Sequence, residues 1–320
     1  MRVVTTLPSA TEVVAALGIE PVGVSHECDF PPEVESLPAV TRSRIETDAA
    51  SDEIDRQVLE STTDDGVYEV DVDRLEALDP DLIVTQGMCD VCAVDEAVVA
   101  DAVDEIDADP AVLSTDPHSV DDVLTDVERI GDATGREERA AVVQTELEER
   151  IEAVQNRTAN LGLEAESRPR VAIFDWTDPA MIAGHWTAEL VEWAGGEYGL
   201  ADAGERSRPR EWAEIRAYDP EVIVVAPCGF DLEQTAENRS DLTERDGWND
   251  LTAVENGRVW AMDGDSYLNR PGPRLVDTLE ALAPIVQSGP DDVGPPTEVA
   301  VPFDALETLS PGSRVVPSAD

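Results

Sequence analysis

The sequence contains no lysine, and all 22 of its basic residues are arginine. A chain without lysine cannot form the lysine-containing phosphate loop of nucleotide hydrolases, and we find no nucleophile elbow and no glycine-rich dinucleotide motif after a predicted strand. Cysteine is also scarce, because four cysteines in 320 residues do not make the disulfide framework of a small secreted domain. The sequence offers no catalytic constellation, so we predict that the protein is not an enzyme.

Positive charge is scarce relative to negative charge. The 71 acidic residues give the chain a formal net charge of −49, and this composition is typical of haloarchaeal proteins. A surface covered with carboxylates repels phosphate backbones and anionic lipid headgroups, so we expect no nucleic-acid partner. We interpret the charge as an adaptation to concentrated salt, in which a Debye length of roughly 3 Å at 1 M screens self-repulsion, rather than as a functional acidic face.

Long apolar runs are absent as well. No segment approaches the roughly 18 consecutive apolar residues of a transmembrane helix, and residues 1–9 lead into a predicted strand and turn without the features of a secretory signal. Taken as it stands, the sequence predicts a cytoplasmic monomer. In such a reducing compartment the cysteines would be thiols or metal ligands.

Short β-branched segments alternate with amphipathic helical segments, a pattern typical of βαβ units with parallel sheets. The length favours about two domains. Strands are predicted at residues 2–6, 82–85, 171–174, 222–226 and 258–262. Helices are predicted at residues 10–17, 72–77 and 188–193, the first of which ends before Gly18.

An internal repeat indicates how the chain is organised. The sequence DRLEALDPDLIV at residues 73–84 is similar to EIRAYDPEVIV at residues 214–224. In each copy a short helix ends before Asp-Pro, a buried strand follows, and a cysteine lies just beyond the strand, Cys89 in one copy and Cys228 in the other. We therefore predict two related lobes.

The predicted domain boundaries follow from this repeat. Residues 1–118 and 166–288 form the two α/β lobes, and the polar, helix-periodic residues 119–165 contain a long bridging helix, which at 20 residues would span about 30 Å. Residues 289–320 are rich in proline and glycine and are predicted to form a mobile or loosely docked tail.

Several of these segments together resemble the class III substrate-binding proteins of ABC importers. They include LPSATE at residues 7–12, both Asp-Pro strand entries, and ELVEWAGG at residues 189–196. The resemblance covers about residues 1–288. Four further segments are similar to a subgroup commonly described as cobalamin-binding: residues 25–32, 89–94, 183–186 and 269–274.

The resemblance implies two Rossmann-like lobes with parallel sheets, joined by one rigid helix, and a ligand held in the cleft between them. Cobalamin, haem and iron-siderophore complexes are the ligands of that family. It also implies that one carboxylate on each lobe, here Asp73 and Glu214, docks onto arginines of an ABC permease. A protein of this kind works outside the cytoplasm, in contrast to what the amino terminus predicts.

The cysteines lie at predicted strand ends, which line one rim of a parallel sheet, where open α/β folds bind ligands. Cys89 and Cys92 form a CxxC motif that can chelate a soft metal or form a redox pair, and Cys28 and Cys228 could complete a four-coordinate site. The alternative is that each free cysteine is only a small buried apolar side chain.

Two histidines are candidates for contact with a corrinoid. A neutral imidazole of His26 or His185 could coordinate cobalt or hydrogen-bond the amide fringe of the macrocycle. The alternative is that each ring satisfies local backbone groups. We interpret His118 as the start of the linker helix.

Aromatic residues make up only 4% of the chain, yet four of them lie in or beside the loops that carry the candidate cysteines and histidines. These four could supply flat apolar walls for a planar ligand; they are Trp176, Trp186, Phe230 and Tyr267. Trp193, Trp212, Trp248 and Trp260 are instead assigned to packing.

Asn269 and Arg270 could donate to carboxamide or phosphate oxygens, although an ion pair of Arg270 with nearby carboxylates is an equal alternative. Ser9 and Thr11 are predicted to cap the first helix. The complete predicted ligand set is Ser9, His26, Glu27, Cys28, Gln86, Cys89, Cys92, Trp176, His185, Trp186, Cys228, Phe230, Tyr267, Asn269 and Arg270.

The function predicted from these residues is non-catalytic binding of a corrinoid, cobalamin, in the interdomain cleft, as part of an ABC importer. One alternative is a protein that binds a soft metal such as zinc through Cys28, Cys89, Cys92 and Cys228. It could also be a metal-dependent enzyme with Glu27 as its acid/base group. A further alternative is an iron-chelate carrier.

Overall fold

The computed structural model describes residues 1–61, 66–89, 91, 93–162, 164, 167–287 and 294–308. The helices are α1 (Pro8–Ala16), α2 (Ser51–Ser61), α3 (Val72–Leu78), α4 (Glu96–Asp104), α5 (Val120–Thr134), α6 (Glu137–Asn160), α7 (Thr187–Trp193), α8 (Trp212–Tyr218), α9 (Leu232–Glu237), α10 (Ser240–Thr243), α11 (Thr252–Glu255) and α12 (Leu275–Gln287). The strands are β1 (Val3–Thr5), β2 (Thr41–Ser43), β3 (Tyr68–Val70), β4 (Leu82–Gln86), β5 (Ala111–Thr115), β6 (Val171–Trp176), β7 (Met181–Ile182), β8 (Arg208–Pro209), β9 (Val222–Val225), β10 (Val259–Met262) and β11 (Ala300–Pro302).

The chain divides into two compact units. Unit 1 contains residues 1–49, 53–148 and 270–273, and unit 2 contains residues 50–52, residues 149–269 and the described residues from 274 onward. Among the residues that the structure describes, no helix has both the length and the apolar character needed to cross a membrane.

Unit 1 is built on a parallel sheet with the strand order β1-β4-β5. Single parallel bridges extend this sheet, because Val4 pairs with Gly23 and Val24 pairs with Ala39. Strand β4 is buried along its whole length, as its run of β-branched residues predicts for a central parallel strand. An antiparallel pair of β2 and β3 completes the described strands of the unit.

Unit 2 contains a six-stranded sheet with the order β11-β10-β9-β6-β7-β8. Strands β10, β9 and β6 are parallel to one another, whereas β7, β8 and β11 pair in the antiparallel direction. The centre of the sheet is buried and consists mainly of valine, isoleucine, alanine and phenylalanine side chains. The predicted α/β fold with parallel sheets is confirmed.

The repeat found in the sequence is also a repeat in structure. Helix α3 ends at Asp79 with φ 45°, and helix α8 ends at Asp219 with φ 49°. Both residues adopt the left-handed conformation of a helix C-cap, and each precedes a proline that leads into a buried strand. These are among the few residues other than glycine with positive φ in the described chain, so two copies of one local solution are preserved.

An arginine holds each copy of this turn, and the sequence analysis did not identify it. The Nε of Arg2 donates to the carbonyl oxygens of Leu78 at 2.7 Å and Asp79 at 3.1 Å. The Nε of Arg170 donates to the equivalent oxygens of Tyr218 at 2.9 Å and Asp219 at 3.0 Å. Each arginine therefore satisfies carbonyl groups that a helix end leaves without partners.

The stretch predicted as a linker consists of two helices. Helix α5 begins after Ser119, whose side chain and that of Asp122 form a capping box, and it ends at Gly135 with φ 67°. His118 immediately precedes this cap, as predicted. The long helix of the stretch is α6, whose 24 residues correspond to about 36 Å.

Two expectations differ from the structure. Ser9 and Thr11 do not cap α1, because the N-cap residue is Leu7, without a side-chain hydrogen bond, and Pro8 occupies the first turn. The prediction that they do so is wrong; proline at this position needs no N–H partner. Residues 294–308 are also not loosely docked, since β11 pairs with β10 and Phe303 is buried. The apolar run at residues 299–301 is too short to be recognised as a strand in a sequence rich in proline. The other residues of the predicted tail, 289–293 and 309–320, lie outside the described residues.

Candidate functional site

The carboxyl edge of the unit 1 sheet, where its parallel strands end, carries several predicted ligand residues. Strand β4 ends at Gln86 and leads to Cys89, while the bridge segment Gly23 and Val24 leads into residues 25–29. In open α/β sheets, ligands bind outside the carboxyl ends of the strands. These residues therefore lie at the strand ends at which the sequence placed them, and their contact with a ligand stays a prediction.

His26 is held by Thr41. The backbone N–H of His26 donates to the Thr41 hydroxyl oxygen at 3.1 Å, and the ring Nδ1 lies 2.8 Å from the same oxygen. Because the Thr41 hydroxyl donates to Ser25 at 3.0 Å, its oxygen accepts from Nδ1–H, and Nε2 carries the lone pair of the neutral ring. Burial lowers the pKa of His26, which favours this neutral form.

Cys28 is a buried thiol. It packs with Val24 and Val34, and its sulfur lies 3.0 Å from the hydroxyl oxygen of Thr11. Burial raises the pKa of the Cys28 thiol to about 12, so the thiolate that binds metals is not formed near neutral pH. For this cysteine the structure favours the packing interpretation.

Gln86 uses its side chain to order the loop after β4. Its amide nitrogen donates to the carbonyl oxygens of Cys89 at 2.7 Å and Ala93 at 3.2 Å, and its amide oxygen accepts from the backbone N–H groups of Met88 and Cys89 at 2.6 and 2.9 Å. With both ends of the amide engaged, Gln86 positions the loop that carries the CxxC motif.

The predicted metal site is not assembled by the described residues. Cys28 and Cys228 are free cysteines, and Cys92 lies outside the described residues. Within the described ranges, no group of three or more histidine, cysteine, aspartate or glutamate side chains is arranged to hold a metal ion.

Arg270 belongs to unit 1 and is 5% exposed. It forms an ion pair with Asp29 and donates to the carbonyl oxygen of Glu27 at 3.4 Å. Two residues further on, a Cβ on Gly272 would lie 3.1 Å from a carboxylate oxygen of Glu12. The ion-pair alternative for Arg270 is therefore the one observed, and its guanidinium group serves to fix the turn that carries His26.

The carboxyl edge of the unit 2 sheet carries an aromatic pair. Trp176 ends β6 and Phe230 lies in the loop after β9, with 5.0 Å between the ring centroids and 54° between the ring planes. Phe230 is 2% exposed, whereas Trp176 is half-buried and its indole N–H donates to Asp178. One residue before Trp176, the carbonyl oxygen of Asp175 accepts a hydrogen bond from the backbone N–H of Cys228 at 2.9 Å. The half-buried indole of Trp176 therefore packs against the buried ring of Phe230.

Tyr267 lies in a π-helical turn, Gly264–Leu268, at the end of β10. The guanidinium carbon of Arg274 lies 5.8 Å from its ring centroid, within cation–π range, and burial raises the pKa of its hydroxyl to about 12. The Asn269 side-chain amide donates to the carbonyl oxygens of Ala226 and Gly264, both at 3.0 Å. Asn269 therefore joins two loops of unit 2, and Arg274 is a cation that the sequence analysis missed although it lies in the same NRPGPR motif.

His185 does not lie at the end of a parallel strand. The strand that precedes it, β7, runs antiparallel to β6, with Ile182 beside Phe174. Its backbone has φ 53°, and its ring stacks on that of Trp186 at 5.5 Å. Trp186 is itself buried and donates from its indole N–H to the Leu268 carbonyl oxygen at 3.0 Å. The antiparallel return was not visible in the sequence because the strand has only two residues.

Asp175 is a buried acid that the sequence analysis overlooked. It is 7% exposed, one of its carboxylate oxygens has no hydrogen-bond partner among the described residues, and burial raises its pKa to about 6. The signal was present, because an aspartate that follows the apolar run of residues 171–174 must lie in or next to the core.

Asp73 and Glu214, the predicted docking carboxylates, are both exposed and lie in the first turns of the equivalent helices α3 and α8. Asp73 is six residues before the C-cap Asp79, and Glu214 is five residues before Asp219. The two carboxylates thus occupy neighbouring rather than identical positions of the repeat.

Comparison with known proteins identifies the family. The model of the periplasmic binding protein family matches residues 3–266. The chain belongs to this family. Its members are non-catalytic substrate-binding components of ABC importers, which confirms both the resemblance and the prediction that the chain is not an enzyme.

Individual relatives are distant but extend over most of the chain. An uncharacterised ABC transporter substrate-binding lipoprotein of Bacillus subtilis is 23% identical over 88% of this chain and 78% of its own length. The vitamin B12-binding protein of Vibrio cholerae is 21% identical over 88% of this chain and 87% of its own. A crystal structure of a periplasmic heme-binding protein from Pseudomonas aeruginosa superimposes with a TM-score of 0.68 at 20% identity, over 92% of this chain and 95% of that one.

Proposed function

We propose that this protein binds a corrinoid outside the cytoplasm and delivers it to an ABC permease. The observation that carries the proposal is the pair of Trp176 and Phe230 at the carboxyl edge of the parallel strands of unit 2. A corrin ring is a large, mostly flat macrocycle, and a half-exposed indole backed by a buried phenyl ring is the kind of wall against which such a ligand packs.

The relatives support a corrinoid as the ligand, but they also include a protein that binds haem. The vitamin B12-binding protein of Vibrio cholerae matches nearly the whole chain, whereas the superimposed Pseudomonas aeruginosa protein binds haem. At about 20% identity the fold does not discriminate between the two macrocycles. The discrimination must come from polar side chains near the ring.

The described contacts divide the predicted residues into two roles. We propose His26, Glu27, Cys89, Trp176, His185, Cys228 and Tyr267 as ligand-contacting residues. We propose Ser9, Cys28, Gln86, Trp186, Phe230, Asn269 and Arg270 as packing or positioning residues, because they are buried or because their polar groups bond to their own unit. That the residues of both units contact one ligand stays a prediction from the sequence.

His26 is the proposed ligand to the metal of the macrocycle. Its Nδ1 is bound to Thr41 and its pKa is lowered by burial, so near neutral pH its Nε2 offers a lone pair to cobalt or accepts a hydrogen bond from a corrin amide. The second nitrogen of a metal-binding imidazole is commonly fixed in this way. Protonation at acidic pH would remove this interaction.

Titration of the purified protein in concentrated salt tests the proposal. Aquocobalamin, cyanocobalamin, haemin and a ferric hydroxamate are each added while tryptophan fluorescence and the visible spectrum of the ligand are recorded. We expect saturable quenching with both cobalamins, and a shift of the visible bands with aquocobalamin, whose exchangeable water His26 can replace. Saturation only with haemin or the ferric chelate, or with none of the four, would contradict the corrinoid proposal.

Delivery to a permease is tested with Asp73→Arg and Glu214→Arg. Both carboxylates are exposed on short helices, so we expect cobalamin affinity to be unchanged and ligand transfer to the reconstituted cognate permease to fall. Glu76→Arg, an exposed position on α3, is the control. Equal loss in this control would argue against specific docking by Asp73.

A further inference from the structure

A small polar network lies beneath the turn that carries His185 in unit 2. The buried carboxylate of Asp175 accepts a hydrogen bond from the Ser207 hydroxyl, and the oxygen of that hydroxyl accepts from the backbone N–H of Gly184 at 3.0 Å. Asp175 reaches this network because β6 bulges there: Phe174 pairs with Ile182 and Trp176 with Met181, and Asp175 has no partner in the ladder. Bulges of this kind re-aim a side chain.

The turn itself is held in a strained conformation. His185 has φ 53°, a left-handed backbone that costs a β-carbon-bearing residue energy and persists only when the surroundings enforce it. Its N–H donates to Glu205 at 2.5 Å and its carbonyl oxygen accepts from Gly204 at 3.0 Å. A Cβ on Gly184 would lie 2.2 Å from the Glu205 carbonyl oxygen, so residues 183–186 and 204–207 are in direct backbone contact.

The Ser207 hydroxyl is the side-chain link between this turn and the sheet. Its single proton is directed to the Asp175 carboxylate, which leaves its lone pairs for the Gly184 N–H. A neutral carboxylic acid can instead donate its own proton to Ser207 and compete with Gly184 for those lone pairs. A hydrogen bond to the ionised carboxylate is also roughly twice as strong as one to the neutral acid.

We propose that Asp175 is a positioning residue that acts through Ser207: its carboxylate holds the His185–Trp186 turn in place, and uptake of a proton by the carboxylate loosens the turn. Burial places the pKa of Asp175 at about 6, so the change falls in the mildly acidic range. The consequence for ligand affinity rests on the proposed corrinoid function. The coupling of Asp175 to the turn does not.

Other titratable groups surround the network. Tyr198 donates its hydroxyl to the Ala183 carbonyl oxygen at 2.6 Å, and burial raises its pKa well above the usual value, so it stays neutral. Glu205 and Arg208 pair with each other at 3.2 Å. The guanidinium of Arg210 bonds to the Leu200 carbonyl oxygen. On the side of β9, Cys228 contacts the backbone of Asp175. His185 is the ionisable side chain of the turn itself, and its variant therefore belongs in the experiment.

The experiment follows the Gly184 amide resonance of the intact, ligand-free protein by NMR between pH 5 and pH 8, with circular dichroism recorded at each pH. We expect a transition near pH 6 in the wild type, the same transition in His185→Gln, and no transition in Asp175→Asn or Ser207→Ala. Asp126→Asn is the matched control, because Asp126 is also a buried carboxyl with a pKa raised to about 6 but belongs to unit 1; its transition should match that of the wild type.

A flat Gly184 resonance in the wild type, or a transition that persists in Asp175→Asn, overturns the proposal. If Asp175→Asn does not fold, Ser207→Ala decides in the same way. Cyanocobalamin titration at pH 7.5 and pH 5.5 then tests the link to binding: affinity should fall at least about fivefold in the wild type and change less in Asp175→Asn. Equal pH dependence of affinity in both overturns that link. A failure of cobalamin to bind at either pH overturns the corrinoid function but not the coupling seen in the ligand-free protein.

Discussion

Unit 1 and unit 2 place candidate residues after the ends of parallel strands, but they do so with opposite chemistry. In unit 1 the groups are polar and bonded to one another: His26 to Thr41, Arg270 to Asp29, and Gln86 to its own loop. In unit 2 the main feature is aromatic, with Trp176 against Phe230. Unit 2 therefore offers an apolar surface, whereas unit 1 offers polar groups that are fixed within the unit.

The comparison teaches that an internal repeat preserves backbone geometry more strictly than site chemistry. Arg2 and Arg170 hold the same turn in both copies with the same hydrogen bonds. Beyond the strands, Cys89 and Cys228 occupy related positions, yet the loops around them share no described contact pattern. The turn that leads into a buried strand is constrained by burial and by its backbone hydrogen bonds, whereas a loop at the edge of the sheet tolerates changes of sequence and conformation.

The largest expected effect is that of Arg270→Ala on stability. The change leaves the Asp29 carboxylate beside an unfilled, buried site, and removal of one member of a buried ion pair typically costs about 3–5 kcal/mol; because Asp29 is partly exposed, we expect about 3 kcal/mol. Arg208→Ala, which breaks an exposed pair with Glu205, should cost under about 1 kcal/mol. Urea unfolding measures both. Equal losses of unfolding free energy in the two variants would mean that the ion pair of Arg270 with Asp29 does not stabilise unit 1 more than an exposed pair does.

Next in size is the effect of Trp176→Ala on cobalamin affinity. Removal of a half-buried indole from an aromatic wall should weaken binding by about 2 kcal/mol, roughly 30-fold. Trp260→Ala is the matched control, because Trp260 is also half-buried but lies within β10, paired with β11. Calorimetric titration of both variants makes the comparison, and an equal loss of affinity in Trp260→Ala would remove the special role of the unit 2 aromatic pair.

A smaller effect is expected on the pH dependence of stability. Burial raises the pKa of Asp175 to about 6, above the unfolded value of about 3.9, so the folded state keeps its proton to higher pH. Stability is therefore greatest below the unfolded value and falls as the pH rises through about 6. The difference of about two pKa units corresponds to a cost of about 3 kcal/mol, at about 1.4 kcal/mol per unit. Asp175→Asn removes this cost but buries an amide that needs its own partners, which costs about 1–2 kcal/mol, so the variant should be more stable above pH 7 by about 1–2 kcal/mol.

Asp126 provides the corresponding measurement in unit 1. Its pKa is raised to about 6, again mainly by burial, so Asp126→Asn should give a gain of the same sign. Urea unfolding at pH 5 and pH 8 compares the two variants. A loss of stability in Asp175→Asn at pH 8 would show that the carboxylate contributes more through Ser207 than its burial costs.

The sequence predicted the backbone better than the site for physical reasons. The strands, the Asp-Pro turns and the helix boundaries follow from local apolar periodicity and from cap and proline chemistry, which are written in adjacent residues. Whether Arg270 contacts a ligand or Asp29 depends on a partner 241 positions away, and the reversal of β7 depends on a two-residue strand. The left-handed His185 has no local signal, because it is enforced by Gly204 and Glu205.

The smallest expected effect concerns Cys28, and it separates packing from ligand binding in unit 1. The thiol is 6% exposed and its pKa is raised to about 12, so at pH 8 it should react with iodoacetamide far more slowly than the half-buried Cys228. Cys28→Ala removes one buried sulfur and should cost about 1 kcal/mol of stability while leaving cobalamin affinity unchanged.

Mass spectrometry of the alkylated protein identifies the modified cysteines, and unfolding and binding titrations follow the variant. Cys28→Ser is the companion change, because it keeps the size of the side chain but adds a strongly polar group beside Val24 and Val34. It should therefore be less stable than Cys28→Ala. Two results would contradict a packing role for Cys28: rapid alkylation of its thiol, or a loss of cobalamin affinity in Cys28→Ala without a loss of stability. Either result would indicate that the thiol contacts the ligand, because a buried sulfur that only packs in the core would produce neither.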